Sequence, residues 1–143
     1  VGINTMNAMN FTIATQEKVV YQDDIFQVTL PTKSGEITVL PGHVPLISTI
    51  SPGELRIKDK EGEHSFAISG GCVEIAENNR ITILAHNIER ATEIDIERAE
   101  EARKRAEEML AEDKQVDNID FARIQVMMER EFNRIRVGKK YRK

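Results

Sequence analysis

The fold turns on residues 92–137, TEIDIERAEEARKRAEEMLAEDKQVDNIDFARIQVMMEREFNRIRV, a stretch with neither glycine nor proline. All four prolines and seven of the eight glycines lie before Cys72. Both residues supply the backbone angles of tight turns, and helix interiors reject them. The chain therefore changes its building principle part-way along. A first part is cut into short segments, and a second reads as two uninterrupted helices.

Within the second part, Thr92 and Asp95 stand where a first helix is capped, with Glu93, Asp95 and Glu97 near its positive end. Ala99, Ala102, Ala106 and Met109 recur at helical spacing as a narrow stripe, small enough for a second helix to approach closely. Polar Glu112–Asp117 interrupts the pattern, and Asp117 or Asn118 is placed to cap the next helix. There Phe121, Ile124, Met128, Phe132 and Ile135 form a bulkier stripe. The short connection predicts an antiparallel hairpin. Such a hairpin buries little by itself, so the pattern suggests an element able to leave its resting place.

Upstream, Phe11 and Ile13, then Phe26, Val28 and Leu30, alternate with polar neighbours, the period of a half-buried strand. Further short apolar runs follow at Ile37–Leu40, Leu46–Ile50, Leu55–Lys58, Ser65–Ser69, Val73–Ala76 and Ile81–Leu84. Their separators are turn-formers such as Lys33-Ser34-Gly35-Glu36, Pro41-Gly42-His43-Val44-Pro45 and Gly70-Gly71. Turn signals this regular predict a sandwich or barrel. The division expected is a non-globular start over residues 1–8, a β-sandwich over 9–88 and a helical hairpin with a basic tail over 89–143. Val1-Gly2 reads as a processing or cloning remnant, with Met6 or Met9 the natural start.

No apolar run approaches the roughly 20 residues of a membrane span, and the N-terminal stretch lacks the basic and apolar regions of a signal peptide. The single cysteine excludes an internal disulfide. A net charge of −4 conceals an asymmetry. From Glu129 to Lys143 seven bases face two acids, whereas from Glu93 to Glu112 eight acids face four bases. A basic tail is a handle for an acidic partner, or merely a solubilising end.

Catalytic chemistry finds no foothold. His43, His64 and His86 are far apart in sequence, Cys72 has no metal-ligand pattern around it, and Ser69 lacks the G-x-S-x-G setting of a nucleophile. The arginines are the sharper feature. Arg98 and Arg105 share a helix face with Asp95, and Arg130 and Arg134 share one on the second helix. An antiparallel hairpin could bring four guanidinium groups to one anion, whose oxygens they match bidentately. The alternative is a solvated face laced with pairs such as Glu101–Arg105.

Several short marks, in this order and spacing, resemble the epsilon subunit of bacterial F-type ATP synthases. They are Ser34-Gly35-Glu36 leading into Leu40-Pro41-Gly42-His43-Val44-Pro45-Leu46, then Ser69-Gly70-Gly71, then Ile119-Asp120-Phe121. The resemblance runs from about Met9 to Val137. It implies a ten-stranded β-sandwich followed by a helical hairpin, in a non-catalytic subunit of the rotating central stalk. The implied partners are the gamma subunit, the polar loops of the c-ring and, for an extended hairpin, the catalytic beta subunit, whose ATP hydrolysis it would inhibit. Glu36 matches a position implicated in the c-ring contact, and His43 lies in the neighbouring loop. The implied location is the cytoplasmic face of the bacterial plasma membrane, reached only through the complex.

Some members of that family carry an ATP site marked Ile/Leu-Asp-x-x-Arg-Ala, which Ile94, Asp95, Arg98 and Ala99 fit completely. Glu89, Arg105, Arg130 and Arg134 stand where such members place further contacts. The resemblance thus implies ATP as a regulatory ligand, with no obligatory cofactor and no metal. Guanidinium groups would take the phosphates, and Glu89 and Asp95 the adenine amine or ribose hydroxyls. A competing reading is a free-standing ATP-sensing or nucleic-acid-binding module using the basic tail. Nucleic acid is disfavoured because five Phe, two Tyr and no Trp make a poor stacking platform.

Overall fold

The computed structural model describes residues 8–112 and 118–142. The strands are β1 (Met9–Ala14), β2 (Val19–Ile25), β3 (Gln27–Thr32), β4 (Gly35–Val39), β5 (Leu46–Ile50), β6 (Gly53–Asp59), β7 (Gly62–Ile68), β8 (Gly71–Ala76), β9 (Arg80–Ala85) and β10 (Ile88–Arg90). A 3-10 turn at Ala91–Glu93 leads to α1 (Ile96–Glu112) and α2 (Asn118–Lys140). The chain divides into two compact units between Arg90 and Ala91.

The first unit is a sandwich of two five-stranded sheets, ordered β2-β1-β9-β8-β5 and β10-β7-β6-β3-β4. Pairing is antiparallel except between β1 and β9. Alternate residues turn inward as period-two patterning requires. Phe11 and Ile13, Val28 and Leu30, Leu55 and Ile57, Phe66 and Ile68, and Ile81 and Ile83 are all buried in one core. Phe26 departs from the expected stripe. It sits half-buried at the bend between β2 and β3, and Ile25 takes the core position instead. Leu40 and Leu84, also read as strand residues with apolar partners, are exposed.

Two strands lack the expected alternation. β2 carries Asp23 and Asp24 outward and buries only Ile25 fully, which suits a sheet edge kept from pairing by charge. β10 is three residues long and half-buried throughout. It pairs with β7, so Glu89, expected at the start of the hairpin, lies in the sheet opposite Ala67.

Tight turns follow the predicted chemistry. Asn78 and Asn79, with φ of 67° and 57°, take the left-handed region between β8 and β9, which asparagine tolerates. Gly71 opens β8 with φ of 151°, and a Cβ there would run into the Leu84 carbonyl oxygen and lie 2.9 Å from Ala85 Cα. Only glycine lets β8 and β9 meet at that register.

In the second unit the helices form an antiparallel hairpin. Lys139 Nζ lies 3.2 Å from Glu100 Oε1, and the Arg103 guanidinium lies 4.9 Å from the Phe132 ring centroid. Ile96, Ala99 and Ile135, with Ile94 beside them, form the apolar cluster. Ala99 and Ala106 are buried as the alanine stripe predicts, but Met109 is exposed and Leu110 half-buried. The inward row includes Arg103, whose stem and guanidinium cover Phe132. For that reason Phe132 lies on the flank, 49 % exposed, instead of filling the seam. Phe121 is likewise 47 % exposed. The connection 113–117, with the expected Asp117 cap, lies outside the described residues, as do residues 1–7.

Candidate functional site

Each residue singled out in the hairpin has a definite place. Asp95 is the N-cap of α1. Its Oδ1 accepts the Arg98 backbone N–H at 3.0 Å, and its carbonyl accepts the Ala99 N–H at 3.0 Å. The run Ile94-Asp95-x-x-Arg98-Ala99 is therefore a helix start by construction of its hydrogen bonds. Ile94 packs on the cluster of Ile96, Ala99 and Ile135, and Ala99 is fully buried. The Arg98 and Arg105 side chains are exposed on α1 and form no ion pair among the described residues.

On α2, Arg130 and Arg134 are brought together by a residue the sequence reading overlooked. Glu131 is 3 % exposed. Its Oε1 accepts from Arg130 Nε at 3.3 Å and its Oε2 from Arg134 Nη1 at 2.8 Å. The buried carboxylate fixes two guanidinium groups on one flank of the helix, a charge-assisted arrangement stronger than exposed pairs. A signal was available, since Glu131 follows Ile124 by seven positions in the apolar row, and charge at such a position needs a partner. The Glu101–Arg105 pair, the example for a solvated face, does not form. Arg103 instead pairs with Glu107 at 3.5 Å, drawn inward by Phe132.

A cleft of about 530 Å³ opens at the end of the hairpin where α1 begins and α2 ends. Ile94, Asp95 and Glu97 line one side, with Gly138, Tyr141 and Arg142 on the other.

In the sandwich, Glu36 lies exposed on β4, and its carboxylate receives the Arg56 guanidinium at 3.3 and 3.4 Å. Burial disfavours the charge on Arg56. Hydrogen bonding and charge from Glu36, then from Glu54, outweigh it and hold the guanidinium above its usual pKa. Glu36 is thus held by a β6 residue, which its turn-like sequence setting did not disclose. His43 is half-buried between β4 and β5, its N–H bonded to the Leu40 carbonyl at 3.2 Å and its Nδ1 2.7 Å from the Val44 carbonyl. Asn79 Oδ1 accepts the Gly42 N–H at 2.7 Å and latches that loop to the β8–β9 turn.

One polar cluster was not anticipated. Asp59 Oδ2 accepts from Tyr21 Oη at 2.8 Å, and its Oδ1 accepts the Glu61 N–H at 2.8 Å with His64 Nε2 at 3.1 Å. Burial alone would raise the Asp59 pKa, but these hydrogen bonds and the His64 charge hold it below the usual carboxylate range. Burial first, and then the bond and charge of Asp59, push the Tyr21 hydroxyl up. Asp59, Glu61 and His64 place donor atoms within 4.8 Å of one another, the spacing of a metal-ligand set. Both Asp59 oxygens already serve these partners, so the arrangement is complete as a hydrogen-bond network.

Comparison with known proteins accounts for the whole layout. Residues 8–91 match the family described as "ATP synthase, Delta/Epsilon chain, beta-sandwich domain". Residues 92–139 match "ATP synthase, Delta/Epsilon chain, long alpha-helix domain". The ATP synthase epsilon chain of Pediococcus pentosaceus is 38 % identical over 135 residues, covering 93 % of this chain and 96 % of the relative. That of Halalkalibacterium halodurans is 37 % identical over 133 residues, covering 93 % and 98 %. Among solved structures, a chain of the Euglena gracilis mitochondrial ATP synthase (OSCP/F1/c-ring) superposes with a TM-score of 0.71 at 23 % identity, over 86 % of this chain and 76 % of that one. A chain of the Tetrahymena thermophila mitochondrial ATP synthase central stalk and c-ring gives 0.58 at 16 %, over 92 % and 94 %. These two show the fold. With both domains matched in order and bacterial relatives aligned almost end to end, the chain belongs to the ATP synthase delta/epsilon-chain family, as a non-catalytic epsilon subunit.

Proposed function

We propose that this subunit couples gamma to the c-ring in a proton-translocating synthase on the cytoplasmic face of the bacterial membrane. In the same reading it restrains ATP hydrolysis through its C-terminal hairpin and binds ATP there. No described helix is long and apolar enough to cross a membrane, so contact with the bilayer would come through the complex. The sandwich offers exposed Leu40, Val44 and Ile47 beside the edge strand β5, apolar surface suited to a protein partner. Glu36 and His43 would meet the c-ring loops. Exposed Phe121, Val126 and Met127 on α2, followed by the basic tail, suit an acidic partner surface such as the beta subunit when the hairpin extends.

The observation carrying the nucleotide claim is the complete Ile94-Asp95-x-x-Arg98-Ala99 start of α1, facing a second helix on which Arg130 and Arg134 are held together. Arg98 and Arg105 would supply phosphate contacts from α1. Titration of ATP into the isolated chain tests it. Loss of one charged contact costs about 1.5–3 kcal/mol, roughly ten- to a hundredfold in affinity. Arg98→Ala should therefore weaken binding at least about tenfold. Absence of binding by the unaltered chain at millimolar ATP would end the claim.

A further inference from the structure

The loop that carries the chain from β4 in one sheet to β5 in the other is built around a tight turn. Pro41 and Gly42 take its two central positions, Gly42 has a φ of 88°, and the His43 N–H bonds the Leu40 carbonyl at 3.2 Å. Proline first and a glycine of positive φ second are what a type II turn demands. Such a turn uses the His43 N–H and leaves the Gly42 N–H without an acceptor of its own. Asn79 Oδ1 supplies one at 2.7 Å, from 37 residues away in sequence. Apart from the strands at the loop's ends, this is the one hydrogen bond among the described residues that ties it to the rest of the sandwich.

Asn79 is suited to this bond from both sides. Its backbone takes the left-handed region, φ of 57°, immediately before β9, a conformation asparagine tolerates. Its own carbonyl accepts the Asn10 N–H at 2.8 Å, so the turn is moored to β1 as well as to β8 and β9. The latch thus runs from three paired strands to the middle of the loop. What the loop carries is apolar and outward. Leu40 is 52 % and Val44 70 % exposed, with exposed Ile47 just beyond on the edge strand β5. Apolar groups on a loop already fixed by hydrogen bonds dock at a lower entropic cost, because their ordering precedes the encounter.

We propose that Asn79 is a positioning residue for partner docking, acting through Gly42 to hold the Leu40–Pro45 loop in the shape that binds. The occupant is gamma, because the c-ring offers polar loops and this surface is apolar. The inference rests on the docking reading proposed above and adds the residue that sets the loop's shape. Its kinetic consequence is specific. An unlatched loop holds the docking shape only part of the time, and apparent affinity falls by that fraction. Once bound, gamma itself holds the loop, so the loss falls on association and not on dissociation. A side chain within the contact behaves the opposite way, since altering it mainly speeds dissociation.

The test measures association and dissociation rates of the full chain with a complex of alpha, beta and gamma subunits lacking epsilon. Asn79→Gly keeps the left-handed backbone and removes the acceptor, whereas Asn79→Asp keeps both. Asn78→Gly is the control, because Asn78 shares the turn and a positive φ, 67°, but not the bond to Gly42. Loss of one hydrogen bond predicts association roughly twofold to tenfold slower in Asn79→Gly, with dissociation unchanged. Amide exchange at Gly42 should quicken in the same variant. Asn79→Asp and Asn78→Gly should associate as the unaltered chain does. Val44→Asp tests the docking reading itself and should speed dissociation at least about tenfold. Equal losses in Asn79→Gly and Asn78→Gly overturn the assignment, because the turn as a whole would then be at fault. Unaltered association in Asn79→Gly, with Val44→Asp dissociating faster, also overturns it and leaves the docking surface standing. Unaltered kinetics in Val44→Asp remove the docking reading and the assignment with it.

Discussion

Gly138→Ala is the substitution that most directly interrogates hairpin closure. Gly138 is the one glycine in the helices, and in isolation alanine would improve α2 by about 1 kcal/mol. The added Cβ, however, would lie 2.9 Å from Ile96 Cγ1 and 3.1 Å from Ile94 Cγ2. Neither atom is the free end of a long side chain, and both belong to the cluster that joins the helices. Relief requires the helices to separate or the isoleucines to leave their rotamers, an overpacking cost of about 1–3 kcal/mol. The helix-propensity gain is the same whether the hairpin is closed or open, so it cancels from the closure equilibrium. Closure should therefore weaken by the full clash, roughly five- to a hundred-and-fifty-fold. Amide exchange measures this: protection at Ala99, Arg103 and Ala106 on the seam of α1 should fall by that factor in Gly138→Ala, with sandwich amides unchanged. Adding Ile96→Ala removes the first clashing atom, so Gly138→Ala should cost less in that background, a coupling the double-mutant cycle reads out. Unchanged or increased protection in Gly138→Ala would refute the argument that this glycine exists for close helix approach.

Further outcomes rest on the architecture. Removing residues from Gln115 onward should raise ATP hydrolysis by the assembled synthase while sparing assembly, and unchanged hydrolysis under inhibited conditions would exclude the hairpin as the brake. A chain ending at Arg90 should unfold cooperatively, and within it Tyr21→Phe should lose about 1.5 kcal/mol at pH 7 through the bond to Asp59. Its pH profile has a definite sign. The Tyr21 hydroxyl is raised in the fold, so its contribution is full below about pH 10 and is lost as pH rises beyond that value. The Asp59 carboxyl is lowered, so its contribution is present above about pH 4 and lost as pH falls through its folded value. Denaturant melts across pH would show Tyr21→Phe without the alkaline loss, and identical alkaline limbs would refute the coupling.

Legibility in the sequence followed the physical source of each signal. Strands such as β1, β3, β6 and β9 alternate because one face is buried and the other is not, so Phe11, Val28, Leu55 and Ile81 were readable. β2 escapes that pattern because an edge strand buries little and uses Asp23 and Asp24 to stay unpaired. β10 is too short to show a period at all, and only the family resemblance anticipated ten strands. In the hairpin, the existence and order of the helices were evident from the missing glycines and prolines. Their facing rows were not, because adjacent helical stripes differ by one residue. The choice was made by tertiary contacts, Arg103 over Phe132 and Glu131 under two arginines. Asp95 and Arg98 were legible because capping and motif coincide. Glu131 was not, because a buried carboxylate becomes intelligible only once its partners are placed.

The composition of the hairpin also bears on how a ligand would govern it. Its apolar cluster holds Ile94, Ile96, Ala99 and Ile135, and Ile124 and Val137 are buried besides. Small or polar residues such as Ala106, Gly138, Glu131 and Asn133 fill other inward positions. Paired charges such as those around Glu131 fix geometry more than they add stability, because desolvation offsets most of their attraction. The exposed Lys139–Glu100 pair adds little more. Closure is thus a balance of small terms. Converting such an element from 1 % to 99 % closed needs about 5.5 kcal/mol of differential binding. At about 1.5–3 kcal/mol for each charge-assisted contact, roughly two to four contacts made only in the closed form suffice. The proposed set spans both helices: Asp95 and Arg98 on α1, Arg130 and Arg134 on α2. A ligand touching one helix alone would bind without shifting the equilibrium. Division of the contacts between two helices is what would turn nucleotide binding into a conformational signal.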